Sequence, residues 1–406
     1  MIMNEKRTAP TGRCGGSRIA VVGAGIAGLT VALSLGRAGI RCEVFEQTKQ
    51  LREVGAGVQL APNATRILHR LGLARKLSMV AVRPSAVEMR RWDDGRLLGL
   101  TELGDACEEL YAAPYYTVHR ADLHQALLDA IDDNVLHIGR RCAGVEEVAE
   151  GVRLRFDDGS TYDADVVIGA DGIHSLVRST LAADDPRFSG QSIYRGLVPA
   201  GALPFLLEDP KVRLWFGPDQ HCVCYPVSSG RFLSVGATAP AGSRSDESWT
   251  AQGRVEDLVE TYQGWNEEVI SILKALDTVG RWALHDRDPL ERWSTGRVAV
   301  VGDAAHPMLP FQAQGANQAI EDAVVLTACL AEAGPDGVPA ALARYEALRR
   351  PRTDALQERS RTNSRTFHLS DGEGQRERDL VLAGSQSLRQ QDWLYGYDAG
   401  AVAGRR

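Results

Sequence analysis

Apolar runs and amphipathic stretches alternate near the start of the chain. Residues 18–22 form a short apolar run suited to a buried strand, and residues 29–38 have the spacing and composition of a helix. Residues 41–45 predict a second strand. Because strand, helix and strand follow in this order, the pattern predicts a parallel-sheet unit whose ligand crevice lies at the carboxyl ends of the strands.

A different pattern follows, with turn signals between short strand-like segments. Residues 82–110 are broken by Asp93-Asp94-Gly95, and residues 151–162 alternate around a turn at 157–159. Both segments predict hairpins. Residues 190–285 are rich in strand signals and predict an antiparallel layer that would wall a substrate cavity.

Three separated segments combine glycine with acidic residues. They are Gly23-Ala-Gly25-Ile-Ala-Gly28, Gly169-Ala-Asp171-Gly172 and Gly302-Asp303-Ala-Ala-His306-Pro307. The first lies between the predicted strand and helix, where glycines let the turn close and let the backbone approach a pyrophosphate at the helix N-terminus. Glu46 lies 18 positions beyond Gly28, where a carboxylate would bind a ribose diol. Together the segments predict one flavin site assembled from distant parts of the chain.

Composition limits the possible classes of function. The chain has 406 residues and a net charge of −7, which argues against a general nucleic-acid binder because phosphate binding relies on clustered positive charge. Its seven cysteines lack zinc-ligand spacing and are typical of reduced thiols in a cytoplasmic protein. No apolar run approaches the length of about 18 residues that crosses a bilayer. Residues 1–16 are expected to form a disordered leader rather than a signal peptide.

With all three segments in order, the chain after residue 17 resembles the single-component (class A) FAD-dependent aromatic hydroxylases. It is most similar to the branch of 3-hydroxybenzoate 6-hydroxylase, salicylate hydroxylase and 6-hydroxynicotinate 3-monooxygenase. The resemblance implies non-covalent FAD, NADH or NADPH as a transient co-substrate, and O2. It further implies a small aromatic substrate, no membrane span, and a monomer or homodimer.

The expected fold is α/β: a Rossmann-like FAD-binding domain, a second antiparallel-sheet substrate domain and a C-terminal helical segment. The FAD-binding domain would comprise residues 17–80, 115–185 and 286–340, and the substrate domain residues 81–114 and 186–285. Residues 341–406 would form the helical segment, with Pro351 expected to interrupt or kink a helix.

The resemblance also implies roles for individual residues near the cofactor. Gly23, Gly25, Ala27, Gly28 and Glu46 would hold the ADP half, and Arg120 would add charge near the pyrophosphate or its ribose. The expected partners of the remaining cofactor atoms are Gly57, Val58 and Gln59 along the isoalloxazine, Gly302 and Asp303 at the ribityl chain, Pro307 over the reactive carbon, and Gly315, Ala316 and Asn317 at the N1 and C2 carbonyl edge.

Three of these assignments leave an alternative open. Asp171, with Arg178 downstream, is associated with FAD and nicotinamide binding in the family, but a turn-capping acid and a surface ion pair are equally compatible with the spacing. Pro307 would also serve as a loop stiffener. Gln59 is similar to the glutamine of the 3-hydroxybenzoate branch, although a solvent-facing amide is the alternative.

His221 and Tyr225 match the His-x-x-x-Tyr pairing of the hydroxybenzoate and hydroxynicotinate hydroxylases. Residues four apart on a strand face the same side, so both side chains would point into one cavity, with His221 as the base and Tyr225 as its hydroxyl partner. The other histidines named here, at 119, 124, 174 and 306, are expected to be structural.

The substrate wall departs from the 3-hydroxybenzoate branch, which has Gln-Tyr where this chain has Pro310 and Phe311. An apolar wall is therefore expected there, and 3-hydroxybenzoate itself is in doubt. Tyr116, Arg195 and Gln312 are candidate polar contacts. Arg195 would pair with a substrate carboxylate, although an arginine on a surface strand is an equally good interpretation.

These features predict an NAD(P)H- and O2-dependent monooxygenase that hydroxylates a phenolic or N-heteroaromatic acid through a flavin C4a-hydroperoxide. The alternatives are a related FAD epoxidase, a tailoring oxygenase for a larger aromatic metabolite, and a flavin-binding redox sensor without turnover.

Overall fold

The computed structural model describes residues 17–51, 56–241, 252–384 and 387–404. The predicted leader, residues 1–16, lies outside the described residues.

The described strands, in chain order, are β1 (Ile19–Val22), β2 (Cys42–Glu46), β3 (Gly57–Leu60), β4 (Ala86–Arg91), β5 (Leu97–Glu102), β6 (Tyr116–His119), β7 (Leu136–Ile138), β8 (Cys142–Val148), β9 (Gly151–Phe156), β10 (Thr161–Ala164), β11 (Val166–Gly169), β12 (Arg187–Pro199), β13 (Val212–Gly217), β14 (Gln220–Val227), β15 (Phe232–Pro240), β16 (Gln252–Gly253), β17 (Val279–Asp286), β18 (Ser294–Thr295) and β19 (Val298–Val300).

The described α-helices are α1 (Ile26–Arg37), α2 (Pro62–Arg70), α3 (Ala74–Val80), α4 (Gly104–Tyr111), α5 (Arg120–Leu128), α6 (Val255–Thr261), α7 (Glu267–Lys274), α8 (Gly315–Glu332), α9 (Val338–Phe367), α10 (Glu373–Gly384), α11 (Asp392–Tyr395) and α12 (Ala399–Ala403).

A six-stranded sheet carries the predicted Rossmann-like unit. Its order is β18-β19-β11-β1-β2-β7, and all neighbours are parallel except the β18–β19 pair. Strands β1 and β11 are fully buried, as expected for a parallel sheet that is covered on both faces. Helix α1 joins β1 to β2 and packs against α8.

An eight-stranded sheet forms the second layer. Its order is β16-β17-β12-β15-β14-β13-β4-β5, and its pairs are antiparallel except for β13 with β4. The hairpin predicted around residues 93–95 is confirmed as β4 and β5, which extend this sheet. The second predicted hairpin is confirmed as β9 and β10, in a separate three-stranded sheet with β8. Helices α6 and α7 share an apolar core with the large sheet.

The C-terminal region is helical, but Pro351 does not interrupt its main helix. Helix α9 runs continuously from Val338 to Phe367 with the proline inside. Arg349 and Arg352, on either side of Pro351, are both buried in ion pairs with Glu321 of α8. These contacts hold the two halves of α9 on α8, so tertiary packing outweighs the hydrogen bond that proline cannot make.

Candidate active site

The three glycine-acid segments meet because they follow adjacent parallel strands. They come after β1, β11 and β19, which lie side by side in the six-stranded sheet. Backbone hydrogen bonds join them directly: Ala170 N donates to Val22 O at 2.8 Å, and Val301 N donates to Gly169 O at 2.9 Å. The structure thus brings together, at one sheet edge, three segments that lie more than a hundred residues apart in the sequence.

The three glycines of the first loop differ in the space that a side chain would find there. Gly23 has φ +103°, and a Cβ there would lie 2.5 Å from Ala170 O, so the turn and its neighbour leave no room for a side chain. A Cβ on Gly28 would overlap the carbonyl oxygen of Gly23. A Cβ on Gly25 would meet nothing within 4 Å. Gly25 therefore stands beside open space at the N-terminus of α1, where a pyrophosphate would bind.

Glu46, at the end of β2, supports the same loop. Its carboxylate accepts hydrogen bonds from Ala24 N at 2.9 Å and from Thr48 N at 2.8 Å. Each carboxylate oxygen can accept a further bond, so a ribose diol is compatible with these contacts. His124 Nε2 binds Ala24 O at 2.7 Å, which agrees with the structural role expected of this histidine.

Arg120 is the first residue of α5, and its backbone N donates to Ala56 O at 2.9 Å. The bond joins α5 to the residue that precedes β3. Arg120 thus lies where β6 ends and where the chain enters the strand expected to line the isoalloxazine.

The second segment is stabilised by hydrogen bonds to its own carboxylate, that of Asp171. The Asp171 carboxylate accepts hydrogen bonds from Leu176 N at 2.8 Å, from Val177 N at 3.2 Å and from the Ser175 hydroxyl. Burial raises the pKa of Asp171, although these hydrogen bonds oppose the shift. These contacts match the turn-cap alternative, so a contact with FAD stays a prediction for this side chain.

Arg178 is buried and is no surface residue. Its guanidinium pairs with Asp184 at 2.7 Å and donates to Ala304 O and Ala305 O at 3.1 and 2.8 Å. Arg178 thus ties the second segment to the third, and the surface ion pair of the sequence interpretation is corrected to a pair of a buried arginine with a half-buried Asp184.

The third segment rests on a buried charge cluster. Asp322 of α8 accepts hydrogen bonds from Gly302 N at 2.9 Å and from His306 Nε2 at 2.6 Å, and pairs with Arg349 at 2.7 Å. Despite burial, the partners His306 and Arg349 lower the pKa of Asp322 to about 2. His306 therefore orders the loop, and the Pro307 carbonyl is fixed by Gln357 Nε2 at 2.9 Å.

Asp303, in the third segment, lies outside this buried charge cluster. Its side chain is exposed and makes no hydrogen bond or ion pair within the described ranges. A Cβ on Gly315 would lie 3.8 Å from Asp303 Oδ1, so the carboxylate faces the start of α8. The side chain is thus available to a ribityl hydroxyl.

Asn317, in the first turn of α8, joins that helix to β3. Its Nδ2 donates to Gln59 O at 2.9 Å, and its Oδ1 accepts from Ala61 N at 2.8 Å. Gly315 and Ala316 lie in the same turn, and Val58 is half-buried in β3. The positive end of the α8 dipole is therefore fixed beside the strand expected to line the isoalloxazine.

Strand β3 rests directly on the substrate sheet through Gly57. Gly57 N donates to Ser234 Oγ at 2.8 Å, and a Cβ on Gly57 would overlap the ring of Tyr225. Only glycine permits this approach, which brings the expected flavin strand against β14 and β15.

Tyr225 lies in a polar cluster at this junction. Ser234 and Gln59 form hydrogen bonds with its side chain, and Arg195 lies close enough to affect its pKa, which burial raises. Burial lowers the pKa of the Arg195 guanidinium, and this side chain makes no hydrogen bond or ion pair with any residue in the described part of the chain. It is half-buried on β12 and is thus not a surface arginine.

Tyr115 was missed by the sequence analysis, which chose its neighbour. The Tyr115 hydroxyl donates to Gln59 Oε1 at 2.6 Å, whereas Tyr116 belongs to the core of the FAD-binding domain and lies 5.9 Å from the ring of His69. Consecutive residues at a strand face opposite sides. Tyr116 as a substrate contact stays a prediction, although its ring packs in this core, and Tyr115, just before β6, is the tyrosine that contacts Gln59.

His221 is buried on β14 and faces an apolar wall. Its ring forms a T-shaped contact with Phe311, with a centroid distance of 5.1 Å. Its Nδ1 lies 2.8 Å from Nε2 of His368, a residue just past α9 that no sequence motif indicated. Pro310 and Gln312 flank Phe311 in the same short 3-10 turn and are half-buried.

Comparisons with known proteins agree with this arrangement. A family model described as "FAD binding domain" matches residues 17–360. The chain belongs to this FAD-binding family. A 3-amino-4-hydroxybenzoate 2-monooxygenase from Streptomyces platensis is 50% identical, with 96% of this chain and 98% of the relative covered. A 6-hydroxynicotinate 3-monooxygenase from Pseudomonas fluorescens is 36% identical, with 86% and 91% covered.

Solved structures give the same family. A salicylate hydroxylase in a substrate complex superposes with a TM-score of 0.81 at 31% identity, covering 95% of this chain and 97% of the other. HpxO from Klebsiella pneumoniae, in complex with FAD and uric acid, superposes with a TM-score of 0.82 at 28% identity, covering 96% and 98%. The chain is therefore an FAD-dependent aromatic monooxygenase, and its predicted fold class is confirmed.

The residues present fit FAD. The open space beside Gly25 admits a pyrophosphate, Asp303 is available for a hydroxyl, and α8 directs its N-terminus toward β3. When bound, FAD takes reducing equivalents from NAD(P)H and activates O2. No described helix is long and apolar enough to span a membrane. The described residues also contain no cluster of three or more potential metal ligands.

Proposed function

We propose that this monooxygenase hydroxylates an aminophenol carboxylic acid of the 3-amino-4-hydroxybenzoate type. The hydroxylated carbon would be position 2, between the carboxylate and the amino group. Three relatives that are 48–50% identical over almost their full length carry this activity in their names. The observation that carries the proposal is the division of the substrate wall into an unpaired cation, Arg195, and an apolar region that contains a neutral base, His221.

Arg195 is the proposed partner of the substrate carboxylate. A half-buried guanidinium without a partner among the described residues retains its desolvation cost, which a carboxylate would offset through charge-assisted hydrogen bonds. Tyr225 and Gln59 lie beside it and would accept or donate hydrogen bonds at the same end of the ring.

His221 is the proposed base. Burial and the neighbouring His368 hold its pKa well below 6.5, so the imidazole is neutral at pH 7 and can accept a proton. Electrophilic attack at position 2 draws electrons from the adjacent amino nitrogen, which becomes more acidic as positive charge develops on it. A neutral imidazole beside that nitrogen would take up the proton that it loses.

This chemistry distinguishes the amino group from the phenol. Position 2 is ortho to the amino nitrogen and meta to the hydroxyl, so the amine activates the attacked carbon. We therefore expect the amino group to be required for hydroxylation at position 2, with the hydroxyl contributing mainly to binding.

The test compares three acids with purified holoenzyme: 3-amino-4-hydroxybenzoate, 3-aminobenzoate and 4-hydroxybenzoate. Product mass and NMR would identify the hydroxylated carbon, and O2 uptake against NAD(P)H oxidation would measure coupling. We expect hydroxylation at position 2 for the first two acids and only uncoupled oxidation with the third. Efficient turnover of 4-hydroxybenzoate, together with no turnover of either aminobenzoate, would refute the proposal.

Two variants test the residues. Arg195→Met is expected to raise KM for the carboxylate substrate by about 10- to 100-fold, because a charged hydrogen bond is worth about 1.5–3 kcal/mol. His221→Ala is expected to lower kcat by roughly 100-fold or more with a smaller change in KM. An unchanged hydroxylation rate in His221→Ala between pH 6 and 9 would exclude its role as the base.

We further infer that the enzyme works in the cytoplasm as a monomer or homodimer and does not bind nucleic acid. The net charge of −7 and the unbridged state of the described cysteines support this. Light scattering of the holoenzyme, with and without duplex DNA, would test the stoichiometry and the absence of nucleic-acid binding.

A further inference from the structure

Two histidines that are 147 positions apart in sequence form one buried pair. His221 Nδ1 and His368 Nε2 are 2.8 Å apart, and the two rings are inclined by 22°. At this distance one nitrogen must donate a proton and the other must accept it. Thr238 Oγ1 lies 3.1 Å from the His221 nitrogen and 3.3 Å from the His368 nitrogen, and so stands at the junction of the two rings.

The second nitrogen of His221 is left available. Nε2 makes no hydrogen bond with any residue in the described ranges, while the His221 backbone is fixed by Thr238 and Tyr262. If His221 donates through Nδ1, its Nε2 carries a lone pair. That tautomer directs the Nδ1 proton to His368 and leaves Nε2 as a free base within the described ranges.

The surroundings of the pair are almost free of charge. The rings of Phe311 and Phe367 are both in T-shaped contact with the His221 ring. Toward this pair, the Tyr262 hydroxyl and the Asp219 backbone N donate only to the backbone carbonyls of His221 and His368, respectively. Apart from its partner, neither imidazole forms an ion pair or hydrogen bond with a titratable side chain among the described residues. Burial lowers the pKa of His368 to about 4 and holds the pKa of His221 well below 6.5, so both rings are neutral near pH 7.

His368 is nevertheless the better place for a transient positive charge. It directly follows the 30-residue helix α9, whose carbonyl end carries partial negative charge. Its side chain is also nearer the surface, with 9% exposure of the residue against 4% for His221.

We propose that His221 and His368 form a two-imidazole proton path from the substrate to the surface, with His368 as the positioning residue that selects the His221 tautomer and receives its proton. The inference rests on the proposed role of His221 as base. His368 never touches the substrate and acts only through His221.

The proton balance is simple. A substrate N–H or O–H bond breaks and an N–H bond forms at His221 Nε2. The Nδ1–H bond of His221 then breaks as an N–H bond forms at His368 Nε2. The charge resides on His368 until its Nδ1 proton leaves to solvent, and rotation or reprotonation returns both rings to their starting tautomers.

The experiment is a single turnover of holoenzyme with 3-amino-4-hydroxybenzoate in weak buffer, with a pH-indicator dye to record proton release. His368→Gln retains a polar group near the position of Nε2 but cannot relay a proton. We expect this variant to release the proton and turn over about 10-fold or more slowly, with KM changed by less than about threefold. The pH dependence of kcat should also shift, because the neighbouring titratable ring is gone.

A second variant keeps the test independent of folding. His368→Ala is expected to regain rate when free imidazole is added, which a purely structural loss would not allow. Phe367→Leu is the matched control, because it alters packing on the same ring but keeps the imidazole pair. We expect Phe367→Leu to keep the wild-type pH profile and show no response to imidazole.

The outcomes separate the two proposals. If His221→Ala is slow while His368→Gln keeps wild-type proton release and His368→Ala ignores imidazole, the path is refuted and His221 acts alone. If His221→Ala keeps its rate, the proposed base fails and the path fails with it. Slower proton release in His368→Gln, together with recovery of the rate of His368→Ala by free imidazole, would support the path.

Discussion

At the carboxyl ends of β1, β11 and β19 the site consists mainly of backbone and glycine, whereas the face of β14 presents side chains gathered from distant elements. On the nucleotide side, Gly23 and Gly28 leave no room for a Cβ. On the substrate side, His221 meets Phe311 and His368, which come from a 3-10 turn and the end of α9. The cofactor side is thus set by local sterics, and the substrate side by long-range packing.

The largest expected effect separates two glycines of one loop. Gly28→Ala places a Cβ onto the Gly23 carbonyl, so we expect loss of folded, FAD-containing protein, with destabilisation above about 4 kcal/mol. Gly25→Ala places its Cβ in open space, so the apoprotein should fold normally while FAD binds weakly. Thermal unfolding with and without FAD, together with the flavin absorbance, would measure both. If the two variants had the same thermal stability and the same FAD content, the assignment of a packing role to Gly28 and a cofactor-binding role to Gly25 would be contradicted.

The next effect concerns the charge cluster behind the third segment. Arg349→Met leaves Glu321 and Asp322 with fewer partners, and Asp322 holds both Gly302 and His306. We expect a loss of about 3–5 kcal/mol in the free energy of unfolding, because two fully buried carboxylates lose a shared guanidinium and keep, among the described residues, only Arg352 and His306 as charged or polar ring partners.

Arg153→Met, which breaks an exposed cross-strand pair with Asp163, is the matched control and should have little effect. Urea denaturation of the two variants gives the comparison. A wild-type midpoint for Arg349→Met would show that the cluster does not stabilise the fold.

The histidine pair gives a pH-dependent effect on the substrate side. His368 has a folded pKa of about 4 against an ordinary value of 6.5. The unfolded chain therefore binds a proton that the folded chain excludes, and stability is full above pH 6.5 and falls as the pH drops toward 4. The free energy of unfolding that His368 removes on going from pH 6.5 to below pH 4 is on the order of 3 kcal/mol. Between pH 7 and 4, the free energy of unfolding should depend less steeply on pH for His368→Gln than for the wild type. Equal pH dependence in the two proteins would count against the effect of burial on the pKa of His368.

The smallest effect tests the polar junction. Tyr115→Phe removes the hydroxyl that donates to Gln59 Oε1 at 2.6 Å. We expect a loss of about 1 kcal/mol, seen as a severalfold rise in KM with little change in FAD affinity. Tyr116→Phe is the control, since its ring lies in the core of the FAD-binding domain. A larger effect on KM from Tyr116→Phe than from Tyr115→Phe would favour Tyr116 as the substrate contact.

The difference between the two sides also explains what the sequence could predict. Glycine spacing, apolar strands and the acid at Glu46 reflect local constraints, so the convergence of the three segments was predictable. Periodicity placed His221 and Tyr225 on one strand and predicted both hairpins. His368 could not be found this way, because its role depends on where a 30-residue helix ends against a distant sheet. The contact of Tyr115 with Gln59 could not be predicted either, because it depends on how the segment before β6 packs against β3.

The contact of Gly57 with Tyr225 and Ser234 has a mechanical meaning. At Gly57, strand β3, which is expected to border the flavin, has no side chain between its backbone and the substrate sheet. A methyl group at this position would push against the Tyr225 ring and the Ser234 side chain. The spacing between the expected flavin strand and the substrate sheet therefore depends on the absence of one Cβ atom.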